Sequence, residues 1–129
     1  MKSEWQTWKG TRFLYCDFSN FGLEFEALRT EVLAADEEIL RAPNGNVLAI
    51  ADLRNTVTSG KVVDLFKESA TRTKGHVEKQ AVVGVTGIRK ILAQAVAKFS
   101  GETFVLFATV EEAKDWLASQ GKKGETLGA

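Results

Sequence analysis

Four short apolar runs, each followed by a segment with helical spacing, constrain this chain more than any other feature. The runs fall at residues 13–18, 46–52, 80–85 and 103–108. Strands that alternate with helix-length segments form βαβ units around a largely parallel sheet. The expected fold is α/β, a single mixed and mostly parallel sheet of βα turns with helices. An antiparallel edge strand at 5–8 should precede it, joined through a Lys9-Gly10 hairpin in which glycine takes a positive φ.

The helical segments carry their own punctuation. Phe21, Phe25, Leu28, Val32, Ala35 and Ile39 recur at spacings of three and four, which makes one apolar stripe. Glu24, Glu31, Glu37 and Arg41 are expected on the solvated side, and Pro43-Asn44-Gly45 ends the segment in a turn. Ser59 is an N-cap for a second helix with Val62, Phe66 and Ala70 inward, closed by Gly75. A third is expected from Ile88 to a stop at Gly101. Thr109 with Glu112 three residues on forms a capping box for a fourth, which buries Val110, Ala113 and Leu117. One domain spans residues 1–120, and 121–129 is expected to fray.

Both phases of the strands are apolar, and Ala49, Ala51, Ala81 and Gly84 are small. Each sheet face is therefore expected to lie under helices or under a second chain, which makes a homodimer one expected assembly. At 129 residues the chain can bury a core without disulfides or metals. Seventeen Lys and Arg balance seventeen Asp and Glu, so no net field attracts nucleic acid or an anionic membrane surface. Cys16 stands alone inside an apolar run, which predicts a buried, inert thiol and a reducing, cytoplasmic setting. No run approaches the ~20 apolar residues of a membrane span, so an integral membrane protein is not expected.

In open parallel sheets ligands gather at the carboxyl ends of the strands. That rule selects Asp17 and Ser19 after the first long strand, Asp52 and Arg54 after the second, and Thr86, Gly87 and Arg89 after the third. The Thr86-Gly87 break would expose amide groups at a helix mouth, with Arg89 and Lys90 adding charge for an anion. The plainer reading of that pair is two solvated cations. Asp17 and Asp52 on neighbouring strands could hold a metal or accept a phosphoryl group, as the acidic pocket of a receiver domain does. The plainer reading is that each caps its own loop through local hydrogen bonds. His76 is the only histidine and lies in a turn, so nucleophilic catalysis has little to draw on. No metal site, cofactor or catalytic residue is expected.

The order FLYCDFSN, VLAIADLRN, QAVVGVTGIRKIL and KFSGETFVLFATVEEAKDWL resembles the bacterial SpoIIAA-like, STAS-related proteins of unassigned function. The resemblance spans roughly residues 5–117. It implies a small mixed sheet of βα turns and relatives that act by binding, among them anti-anti-sigma regulators and transporter-associated domains. In the anti-anti-sigma members, a serine in a DSSG-like turn opens the helix after the second long strand and is phosphorylated. The corresponding turn here is Val57-Thr58-Ser59-Gly60, so Ser59 and Gly60 match while Val57 stands in place of the acid. The implied function is a non-enzymatic binding or regulatory module that engages a protein partner or a small anionic or lipidic ligand at the strand rim. Ser59 would be its phosphosite. The alternative is a metal-dependent phosphoacceptor or enzyme centred on Asp17 and Asp52.

Overall fold

The structure, a computed structural model, describes residues 1–85 and 104–119. Lys9 and Gly10 both take left-handed backbone conformations, which closes a two-residue turn between β1 (Glu4–Trp8) and β2 (Thr11–Asp17). The remaining strands, β3 (Val47–Asp52), β4 (Val77–Val83) and β5 (Val105–Phe107), follow in parallel. Their order across the sheet is β1-β2-β3-β4-β5, the same as along the chain. The expected α/β sheet with an antiparallel edge strand is therefore present.

Strand alternation divides the interior into two cores. Leu14, Cys16, Ala49, Ala51 and Val82 point to one face, where α1 (Phe25–Arg41) and α2 (Gly60–Thr73) bring Leu28, Val32, Ala35, Ile39, Val62 and Leu65. Phe13, Ile50, Ala81 and Val83 point to the other, covered by Ala113 and Leu117 of α3 (Val110–Ala118). The chain's own helices thus cover both faces of the central strands. Thr109 and Glu112 form the expected capping box.

Some boundaries differ from expectation, each for a physical reason. Helix α1 begins at Phe25 rather than near Phe21, because Gly22 takes φ 56 and forms an isolated parallel bridge to Thr56. Strand β4 begins at Val77 and ends at Val83 rather than spanning 80–85. Pairing with β3 recruits Val77 and Lys79, with Glu78 at the register shift between them, and Gly84 at φ 89 turns the chain away. Strand β5 is shorter than the expected 103–108 run. The expected helix from Ile88 and the tail at 121–129 lie outside the described residues, as do Thr86, Gly87 and Arg89.

Glu31 corrects the solvated-face reading of α1. It is 7% exposed, and its carboxylate accepts hydrogen bonds from the amides of Lys2 at 3.0 Å and Ser3 at 2.8 Å. The N-terminal segment is clipped to the helix by a charge-assisted pair. Farther along the same helix, buried Asp36 accepts from Ser69 Oγ at 2.7 Å and Arg72 Nη1 at 3.1 Å, which ties α1 to α2.

Candidate functional site

Asp17 and Asp52 end adjacent parallel strands in direct register. The pairing brings the two carboxylates selected from sequence to one border, on the face that carries α3. Tyr15 lies opposite Ile50, two residues before Asp52 and on the same face. Its hydroxyl therefore reaches along the strand and donates to Asp52 Oδ2 at 2.6 Å.

Arg54 folds back over the same carboxylate. Its amide donates to Oδ1 at 3.1 Å, Nε to Oδ1 and Oδ2 at 3.0 and 3.2 Å, and Nη2 to Oδ2 at 2.7 Å. Asp52 is 0% exposed, and the Arg54 side chain is 53% exposed. Burial pushes the Asp52 carboxyl up, but the hydrogen bonds from Arg54 and Tyr15 more than offset this and hold it below its ordinary value. Burial, reinforced by Asp52, raises the Tyr15 phenol, while the carboxylate raises the Arg54 guanidinium. Both oxygens of Asp52 are therefore committed to internal donors, which weighs against a metal ligand or phosphoacceptor at this residue.

Backbone geometry makes this fold-back possible. Leu53 donates its amide to Val83 O at 2.8 Å, so the loop after β3 lies across the end of β4. A Cβ on Gly84 would stand 2.7 Å from both the amide nitrogen and the Cγ of Arg54. Glycine alone allows so close an approach.

Asp17 is also locally engaged. Its Oδ1 accepts from Ser19 N at 3.2 Å and from the Ser19 hydroxyl, while Lys2 Nζ stands 3.6 Å away. Lys2 also donates to the Ser19 carbonyl and lies 4.2 Å from the centre of the Phe21 ring. Both aspartates thus cap their own loops, the plainer of the two sequence readings. Among the described residues, no group of three or more His, Cys, Asp or Glu stands close enough to hold a metal ion. No helix among them is long and apolar enough to cross a membrane.

The loops after β2 and β3 are bound to each other along their length. Asn20 N donates to Arg54 O at 2.8 Å, Gly22 N to Asn55 O at 3.0 Å, and Val57 N to Gly22 O at 2.9 Å. Asn20 and Asn55, both left-handed, are joined by a side-chain hydrogen bond of 2.8 Å. Buried Thr56 donates its hydroxyl to Phe18 O at 2.6 Å and accepts from Phe21 N at 3.2 Å. The result is a stiff ridge, and from it Leu23 and Val57 project 84% and 44% exposed. Ser59, exposed, follows at the start of α2 and accepts from Val62 N at 3.4 Å. Lys61, in the first turn, places its ammonium 5.5 Å from the Phe25 ring centre.

The structure brings Asp17, Ser19, Asp52 and Arg54 to one rim, with Ser59 just beyond it; Thr86, Gly87 and Arg89 are not among the described residues. Sequence reasoning did not assign roles to Tyr15, Thr56, Lys2 or Asp36. Asp36 carried a readable signal, since it lies four residues after Val32 and three before Ile39, a core-facing position. Cys16 is buried, and burial raises its thiol well above the ordinary range, with Asp36 and Glu31 adding to the shift. It belongs to the core. No protein-family model, curated protein or solved structure matches the chain.

Proposed function

We propose that this chain is a non-enzymatic binding or regulatory module of the SpoIIAA-like type, engaging a protein partner through the ridge formed by the loops after β2 and β3. The observation that carries this reading is the contrast within the rim. Asp52 is turned inward and satisfied by its own loop, whereas Leu23 and Val57 are turned outward on a backbone that hydrogen bonds hold rigid. A stiff surface loses little conformational entropy on association, and exposed apolar side chains gain by being covered. The winding of sequential parallel strands also agrees with the βα-turn architecture that the family resemblance implies.

Ser59 fits the same reading. A phosphate there would add about two negative charges at the opening of α2, where the helix dipole favours them, and would change the face beside Val57 and Lys61. The test is site-specific photocrosslinking in the native host, with the probe placed at Leu23, at Val57 or at the exposed Thr71 near the other end of α2. A single partner should be captured from the first two positions and not from Thr71, and Leu23→Asp should abolish capture at Val57. Equal capture from all three positions, or none from the ridge, refutes the proposed face. Phosphoproteomics with a Ser59→Ala control tests the switch separately.

A further inference from the structure

Strand β1 forms one border of the sheet. Its two-residue turn makes Trp8 and Thr11 a hydrogen-bonded pair, and alternation then assigns the same pairing to Gln6 with Phe13 and Glu4 with Tyr15. The backbone N–H and C=O groups of Trp5 and Thr7 consequently point away from β2. None of these four groups has a hydrogen-bond partner among the described residues. Folded proteins commonly blunt such a border with proline, a bulge or an inward charge. Here the register with β2 runs unbroken from Glu4 to Trp8, and the sequence EWQTW contains no proline.

We propose that two copies of this chain join β1 to β1 in antiparallel fashion, about a two-fold axis through Gln6, to make one continuous sheet. A two-fold axis normal to the sheet can centre the pairing only on a residue, which leaves Trp5, Gln6 or Thr7. Centring on Thr7 would require Lys9, which is in the left-handed turn. Centring on Trp5 would require Ser3, whose amide is already given to Glu31. Centring on Gln6 pairs Trp5 of each copy with Thr7 of the other and satisfies all the outward groups from within the strand.

The side chains agree with this register. Glu4 would face Trp8 of the second copy and Gln6 its own equivalent, so no like charges are opposed. The edge is also pre-ordered: Trp5 Nε1 donates to Glu38 at 3.0 Å with Arg12 4.2 Å over its ring, and Trp8 Nε1 donates to Asp115 at 2.9 Å. A formal net charge of zero imposes no long-range repulsion between copies. Because a single short strand supplies the contact, a concentration-dependent dimer is expected. This pairing does not rest on the loop ridge, and its failure would leave that reading standing.

The test combines sedimentation with oxidative crosslinking of the full chain. Gln6→Cys would place two thiols opposite each other in a non-hydrogen-bonded pair, with Cβ atoms about 4.5–5.5 Å apart and close to disulfide reach. It should crosslink, while Glu4→Cys and the wild type, whose Cys16 is buried, should not. Thr7→Pro removes one outward N–H without touching a β1–β2 bond, so it should weaken the dimer at least tenfold and leave the monomer's circular dichroism unchanged. A strictly monomeric wild type without Gln6→Cys crosslinking, equal crosslinking at positions 4 and 6, or a dimer indifferent to Thr7→Pro overturns the proposal.

Discussion

Asp36 should make this fold lose stability as the pH rises from mildly acidic to neutral, opposite to the usual behaviour of a paired carboxylate. Burial lifts its pKa from 3.8 to about 6, although Ser69 and Arg72 both pull it down. Between those values the native state holds a proton that the unfolded chain has released, so the unfolding free energy falls as pH rises through the window. Below it both states are protonated, and above it both are ionised. A gap of about two pKa units corresponds to about 3 kcal/mol. Arg72 faces this carboxylate from α2, and Cys16 from β2 stays a neutral thiol throughout the window. Asp36→Asn removes the titration yet keeps an acceptor for Ser69. Urea unfolding of both proteins from about pH 4 to about pH 7.5 isolates the effect, since all other groups cancel in the difference. The variant should gain about 3 kcal/mol relative to wild type across that range. Parallel curves, or a wild type that gains on the variant, would refute the claim that burial outweighs the Arg72 pair.

Three further outcomes follow from the same contacts. Asp52→Asn should destabilise the protein by about 2 kcal/mol in urea at neutral pH, less than a fully buried pair would lose because Arg54 is half-exposed. Since folding lowers the Asp52 carboxyl, its contribution is present above the ordinary carboxylate range and fades as the pH falls below it; an Asp52→Asn gap that persists into strong acid would contradict this. Glu31→Ala should cost about 2 kcal/mol and speed hydrogen exchange at the Lys2 and Ser3 amides, with exchange elsewhere little changed. Gly84→Ala should cost about 2 kcal/mol or more in thermal melts, because φ 89 and the nearness of Arg54 both oppose a Cβ; an unchanged melting temperature would mean that the loop after β3 does not lie there.

The scaffold was more legible in the sequence than the rim. Apolar runs and caps act through neighbours a few residues apart, so β3, the Ser59 cap and the Thr109-Glu112 box could be read locally. Placing Asp17 beside Asp52 needed only alternation and parallel order. The fold-back of Arg54 had no local signature, because it depends on a left-handed glycine thirty positions away, just past the end of another strand. Glu31 was misread for a different reason. Its spacing from Leu28 and Ala35 already placed it at the edge of the apolar stripe, but its partners are backbone amides of Lys2 and Ser3, which no side-chain pattern announces.

Taken together, these contacts restrict the kind of recognition the rim can perform. Asp52 has no free oxygen lone pair on its exposed side, because it has no exposed side, and Asp17 is tied to Ser19 and Lys2. A cation approaching Asp52 would have to displace Arg54, giving up hydrogen bonds already made in a partly desolvated setting. A partner that instead covers Leu23 and Val57 displaces only water. Under the proposed binding role, the lower-energy route at this end of the sheet is therefore shape-matched apolar contact on the ridge, with exposed Arg54 and Lys61 placed at its margins to orient a partner.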